Sequence, residues 1–457
     1  SVKGHAGKKP CLSCQNVVNR DCPYDEFDDP FLLHVLSPYT ERCIPHTLYT
    51  FSVMTENLRT AVQEGQGPDG ETVPDLEMNY GINYVEDGLL FDSHCLNETR
   101  FPECVNWDPM HCLFTNASVG QYHCNGFIKK LIETENAPSL AEIDAWTSAI
   151  KIPNYQFIKP NWIIDRFVNS DTACIKAFAS DCIAIIDCLS LFVQINVAGT
   201  ALYNTLFPYM ECFRYLKCIS DIIRTKSVGD GAIKMLRYAI KRHHHLFLRL
   251  YPKLCKSKLH YLTHIPDHIE KFRTAQTCFS GESLHKHTKA TMRTSFKNGT
   301  DTALSASLQT MRAAVLDKCT FLEVYLEGVI KKIVDQRTRM AVLRHIGARD
   351  DGCHIFVSRH IKTTRGAFSN KQCLVFATDS GLVFGNSKMF LEIRHGHIST
   401  FLAWIDLYRK VPGSPCWEID CPQTLVKVSG LLRSLPFVNH DGGHVLIGIP
   451  EYMHGHC

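Results

Sequence analysis

The chain has 457 residues, 45% hydrophobic and 21% charged, which are values of a folded globular protein and exclude wholesale disorder. Its 49 basic and 46 acidic residues leave a formal net charge of +3, so bulk charge does not mark a nucleic-acid binder. The 21 cysteines are odd in number and lie largely in helix-patterned segments, which argues against the disulfide framework of a short secreted chain. A reducing compartment with most thiols buried as small apolar residues is the expectation.

Ser1–Pro10 lacks the apolar core of a signal peptide and does not begin with Met, so the chain reads as an internal fragment. The most apolar run, Cys182–Val197, carries Asp187 and reads as a buried helix, giving no membrane partner. The sequons at Asn97, Asn116 and Asn298 are of a kind that arises by chance in a chain this long.

Taken in chain order, residues 1–119 are irregular and rich in Pro, Gly, Asn, Asp and Cys, with a loop-like stretch at Glu64–Pro74. Residues 120–300 read as helical. Pro138-Ser139-Leu140-Ala141-Glu142 is a capping box. Helices are expected near Asn161–Asn169, Thr172–Val197, Leu202–Thr225, Ala232–Tyr251 and Leu254–Phe272, where apolar residues recur every three or four positions. A long helix across Thr302–Ile346 makes 301–350 a helical connector. From 351 to 457 the period changes to two, with strands expected at His354–Val357, Gln372–Ala377, Gly381–Phe384, Glu392–Ile398, Leu425–Val428 and Val445–Ile449.

Four clusters carry chemistry. Cys11-Leu12-Ser13-Cys14 offers two thiolates to one tetrahedral ion, or is a loop with two free thiols. His260 and His264, four apart in a helix, share a face and a metal, or are two unrelated histidines of the kind that bunch at His243-His244-His245. Glu282 stands among His285, Lys286, His287, Lys289 and Arg293, a divalent-ion ligand beside a phosphate backbone or a solvated helix start. In Trp107-Asp108-Pro109-Met110-His111, Asp108 suits a helix cap with Pro109 in the first turn; a functional reading places Asp108 or His111 beside a metal site.

In this order the clusters resemble the CACTA-type transposases of the CMC superfamily. Gly4-His5-Ala6-Gly7 followed by the CxxC pair is similar to the family's Gly-His-Ser-x and Cys-x-x-Cys segment. Asp108-Pro109-Met110-His111-Cys112-Leu113-Phe114 is similar to its Asp-Pro-Met-His-Asn-Leu-Phe. Lys258-Leu259-His260-Tyr261-Leu262-Thr263-His264-Ile265-Pro266 and the box from Glu282 to Lys289 have counterparts as well. The resemblance spans residues 1 to about 290. Gly281 replaces the usual Phe before the acid, and the Arg that normally precedes it is missing.

The resemblance implies an α+β fold: a partial ribonuclease H-like core (1–119), a large all-α insertion with the closing catalytic helix (120–300), the connector, and a small C-terminal β-rich module. It implies a structural Zn²⁺ on Cys11, Cys14, His260 and His264, as in the related recombinase that assembles antigen-receptor genes. It also implies catalytic Mg²⁺ held by Glu282, with Asp108 and His111 near the site, and His285, Lys286, Lys289 and Arg293 on DNA. The implied activity is DNA strand cleavage and transfer in the intact ancestor, in the nucleus and compatible with a homo-oligomer. The family's early aspartates precede the CxxC segment, so this chain is expected not to cleave DNA. The rival readings are a non-catalytic zinc-stabilised DNA- or protein-binding remnant and a zinc-stabilised helical protein unrelated to transposition. The last of these places Cys11 and Cys14 far from His260 and His264. A secreted glycoprotein is a more distant reading.

Overall fold

The computed structural model describes residues 7–19, 32–37, 42–88, 90–98, 105–115, 117–152, 160–225, 228–275, 277, 324–345, 347, 352–363, 366–378, 381–395, 398–412, 414, 416–439 and 444–448. The chain is mixed α+β and divides into two compact, discontinuous units. One comprises Ser1–Thr134, Arg166–Ile183 and Leu206–Thr277; the other comprises Glu135–Asp165, Ala184–Thr205 and Cys278–Cys457.

The first unit is helical. Helix α1 (Leu48–Glu64) opens with a Thr47–Thr50 capping box and ends at Gly65 in the left-handed region. Its buried Phe51, Met54, Leu58 and Ala61 recur every three or four residues and pack with Leu76, Ile82, Leu90, Phe91 and Leu96. Helix α2 (Val73–Tyr80) has its own box at Thr72–Asp75. The short α3 (Ser93–Glu98) and α4 (Pro109–Leu113) follow, then α5 (Val119–Glu133), boxed by Ser118 and Gln121. Two residues each from β1 (Val17–Val18) and β2 (Leu33–His34) pair in parallel.

Helix α6 (Leu140–Ser148) belongs to the second unit, and the division runs inside α7 (Ala179–Asn196). By length and composition α7 is the one described helix able to cross a membrane, and most of it is buried. Helix α8 (Leu202–Ile223), whose first residues through Thr205 fall in the second unit, and α9 (Asp230–Leu250) then add to the first unit's core. On α8, Asp221 is fully buried between Lys217 (2.5 Å) and Arg224 (2.8 Å). The stripe of α9 that faces inward includes Ile233, Leu236, Ile240, His243 and Phe247.

Sequence periodicity predicts one helix over Leu254–Phe272, but the chain forms a 3₁₀ turn (Pro252–Leu254), α10 (Lys258–Leu262) and α11 (Ile265–Phe272). Pro266 has no N–H to offer the Leu262 carbonyl, so the helix resets there.

In the second unit β3 (Tyr325–Glu327) pairs with β6 (His360–Thr363) and β6 with β7 (Gly366–Ser369). Among the described residues the larger sheet has nine strands. Its path runs β12 (Leu431–Leu435), β8 (Cys373–Thr378), β9 (Gly381–His395), β10 (Ile398–Lys410), β11 (Trp417–Lys427), β14 (Val445–Ile447) and β13 (Phe437–Asn439). Off that path β5 (Cys353–Ser358) pairs with β9 and with β4 (Lys331–Lys332). Strand β9 pairs with β10 along one edge; along the other it meets β8 in its first half and β5 in its second.

Several expectations need correction. The supposedly irregular 1–119 holds a 17-residue helix. Residues 161–166 form turns and 167–169 follow without regular structure, and the helix expected from Thr172 starts at Ala179. The described part of the 301–350 connector carries β3, β4 and the ten-residue α12 (Gln336–His345) in place of one long helix; 301–323 lie outside the described residues. Gly381–Phe384 and part of Glu392–Ile398 are one continuous strand, and β10 was not expected beyond its first residue, Ile398.

Candidate metal centre

Two thiols from the front of the chain meet two imidazoles from α10 and the residue capping α11. The His264 Nε2 atom lies 3.3 Å from Cys11 Sγ, 3.5 Å from Cys14 Sγ and 3.2 Å from His260 Nε2. All four ligand atoms fall within 4.8 Å of one another, and Cys11, Cys14 and His260 are buried. Thr263 and His264 are both αR, so the four-residue spacing of the histidines survives the break between helices.

The CxxC loop is seated by backbone contacts. Gln15 N donates to the Ile44 carbonyl (2.9 Å), His46 N to Ser13 (3.0 Å) and Lys8 N to Met78 (2.7 Å). Gly81, which ends α2 at φ 71°, cannot carry a side chain, since a Cβ there would lie 2.0 Å from the Lys9 carbonyl oxygen. Tyr261 Oη donates to the Pro10 carbonyl (2.9 Å), and Trp107 Nε1 donates to Ser13 Oγ (2.9 Å). The Trp107 and Tyr261 rings stack with centroids 4.0 Å apart. Thus the residues flanking the ligands on all three segments grip each other.

The electrostatics suit a cation. Burial pushes the Cys11 thiol up, but Cys14 and the His260 and His264 rings outweigh it and hold it well below the ordinary thiol range, at about 2. Cys14, facing Cys11 and Cys43, is pushed up, so the pair without an ion keeps one proton. Burial lowers His260 and works against charge on His264, where the Cys11 thiol prevails and raises it. An ion of charge two removes this frustration by displacing the proton.

Asp108 takes the structural role available to it. It caps α4, accepting from Met110 N (3.1 Å) and His111 N (3.3 Å), and its carboxylate also pairs with His111 Nδ1. Neither Asp108 nor His111 joins the Cys/His cluster; they connect to it through Trp107. Glu282, His285, Lys286, Lys289 and Arg293 lie outside the described residues.

Two features escape sequence reasoning. Cys43, carried on the segment that pairs with the CxxC loop, stands beside Cys14. A second cluster joins His123, Cys212 and His243, one from each of α5, α8 and α9. The only signal for it was a histidine on the inward stripe of α9 within His243-His244-His245, where His245 is exposed. No disulfide is formed among the fifteen cysteines whose side chains are described. Comparison of the chain with protein families, with curated proteins and with solved structures finds no match to any of them.

Proposed function

We propose that the chain is a transposase-derived protein in which one structural zinc ion, held by Cys11, Cys14, His260 and His264, fastens the N-terminal segment to the helical region. The observation that carries this reading is the meeting of His264 with Cys11 and Cys14, 253 and 250 positions away, at 3.3 and 3.5 Å, beside His260 at 3.2 Å. Such spacings fit ligands around a tetrahedral ion with Zn–N bonds of about 2.0 Å and Zn–S bonds of about 2.3 Å. A complete set of four protein ligands is the mark of a structural site, since a catalytic zinc keeps a position open. The CxxC loop, the Trp-Asp-Pro-Met-His segment and the HxxxH segment are three of the four strings on which the CACTA-type resemblance rests, and they pack on one another; the fourth, around Glu282, lies outside the described residues.

On this reading the reaction class of the intact protein is phosphoryl transfer at DNA. Divalent ions, when bound, would activate the attacking hydroxyl and stabilise the leaving oxygen. Glu282 is the acid this chain contributes, with Lys286, Lys289 and Arg293 as backbone contacts without sequence preference. Asp108, engaged by two backbone amides and His111, supports bracing rather than metal binding. The parallel pair β1–β2 is the portion of a ribonuclease H-like sheet that this reading assigns to residues 1–119.

That engagement of Asp108 favours one alternative, a non-catalytic remnant that binds DNA or a protein partner. The test uses the full chain. Plasma mass spectrometry is expected to find one zinc per chain in the wild type and none at this site in Cys11→Ser/Cys14→Ser. Fluorescence anisotropy with duplex DNA is expected to show binding that weakens steeply as salt rises. Zinc without DNA binding at low salt would leave only a zinc-stabilised partner-binding module, and a folded wild type without zinc would remove the site itself.

A further inference from the structure

The second cluster is fully buried in the helical unit. His123, Cys212 and His243 are each 0% exposed. His123 Nδ1 faces His243 Nε2 at 3.0 Å, and Cys212 Sγ lies 3.8 Å from the His243 carbonyl oxygen. One ligand atom from each residue falls within 4.8 Å of the other two. Around them stand aromatic rings: Phe127, Phe213, Phe247 and Tyr251 all meet His123 edge-on, at 5.1–6.5 Å between centroids.

The outer nitrogens, Nε2 of His123 and Nδ1 of His243, have no hydrogen-bond partner. A direct N–H···N bond between neutral rings uses the facing nitrogen of one as donor, which strips the proton from that ring's outer nitrogen. A bare lone pair is then buried among aromatic faces with no donor, a costly arrangement. An ion between the facing nitrogens changes this. Both outer nitrogens then carry protons, and no bare lone pair is left buried without a donor.

We propose that His123, Cys212 and His243 form a second metal site, distinct from the CxxC centre and selective for a monovalent thiophilic ion, Cu(I). The choice follows from charge. Two neutral imidazoles and one thiolate exactly offset by Cu(I) give a complex without net charge, whereas Zn²⁺ on the same three ligands buries an uncompensated positive charge among phenylalanines. Soft thiolate and imidazole ligands in a three-coordinate set suit Cu(I). Binding releases one proton, from Cys212. The shell is sealed, so the ion enters while the chain folds. This inference does not rest on the transposase reading.

The test is expression or anaerobic refolding of the full chain with both zinc and Cu(I), followed by removal of loosely held copper with a Cu(I) chelator. The wild type is expected to retain one copper beside its zinc, and both Cys212→Ser and His243→Asn are expected to lose the copper and keep the zinc. X-ray absorption on the wild type is expected to show copper with one sulfur and two nitrogen neighbours, a measurement that stands even where a variant fails to fold. Equal copper in wild type and variants, two sulfurs around copper, or no retained copper would each overturn the proposal. So would a second zinc in its place; that result would point to the unpartnered Tyr251 phenol as a further anionic ligand.

Discussion

The two units solve the same problem, holding together residues far apart in sequence, by different means. In the helical unit a few polar side chains carry long-range order, the Cys11/Cys14/His260/His264 centre and the seating of the CxxC loop on Trp107 and Tyr261, while the buried Lys217–Asp221–Arg224 group concentrates charge locally within α8. In the β unit the work is spread over strand register and apolar layers, with Phe376, Phe390, Ala403 and Ile405 on one cluster and Leu391, Ile393 and Leu402 on another. The lesson is one of concentration. Loss of a single group should be severe in the first unit and graded in the second.

The strongest way to break the comparison is to remove the centre. Structural zinc in small domains contributes roughly 10–16 kcal/mol of apparent binding free energy. Cys14→Ser, or chelation under mild denaturant, is expected to expose the amides of residues 7–19 and 42–46 to hydrogen exchange while the amides of β8–β10 keep their protection. Equal loss of protection in the strands would show that the units do not differ in this way.

Next in size is Asp221→Ala, which leaves the Lys217 ammonium buried (3% exposed) without its carboxylate. Removing one partner of a buried pair costs about 3–5 kcal/mol. Urea unfolding monitored on the helical unit should shift by that amount; a shift near zero would mean that the Lys217 ammonium reaches solvent or gives up its proton once the carboxylate is gone.

How much of this was legible in the sequence follows the same division. Metal ligands are chemically few, so CxxC and HxxxH at helical spacing stood out as two separate candidates, and their meeting was expected only from the family resemblance. Cys43 had no string of its own, because it reaches Cys14 only through the pairing of residues 14 and 45. His243 was hidden in a histidine run that looked like chance bunching. Helix α1 was missed although its stripe is present, because Thr, Ser, Asn and Gln fill its other faces and dilute the signal. Strand β10 was missed for the opposite reason. Phe401, Ala403, Ile405 and Leu407 face one apolar cluster, while Leu402 and Trp404 face another, so no alternation appears. A strand covered on both sides cannot be told from a helix segment by period alone.

A polar group inside the β unit gives a sharper third test. Glu392 on β9 is 5% exposed and accepts from Arg394 (2.6 and 2.9 Å) and Ser399 (2.9 Å). Burial pushes its carboxyl up, but the Arg394 guanidinium and the Ser399 hydroxyl outweigh burial and hold it below the usual Glu range. A group lowered in the folded state stabilises fully above its unfolded value and loses that contribution as pH falls through the folded one. Glu392→Gln is therefore expected to cost about 1–3 kcal/mol at neutral pH. The gap from wild type should close as pH drops below the ordinary carboxylate range. A pH-independent gap in thermal melts would assign the loss to packing.

The smallest effect should come from the apolar layer, at Ile405. It is 0% exposed, and its Cδ1 lies over Gly385 on the neighbouring strand, where an added Cβ would sit 2.7 Å from that methyl and 2.8 Å from the Asp406 carbonyl oxygen. Ile405→Val deletes the methyl and should cost about 0.5–1.5 kcal/mol. The cavity it leaves lies just where a Gly385→Ala methyl would go, so the pair is expected to interact. Gly385→Ala should be less damaging in the Ile405→Val background than in the wild type, yet still unfavourable, because the Asp406 carbonyl belongs to the paired backbone and cannot withdraw without breaking register. Strict additivity of the two changes in a double-mutant cycle would mean that the strands move apart to admit the methyl, and that register in this sheet is softer than its layered core implies.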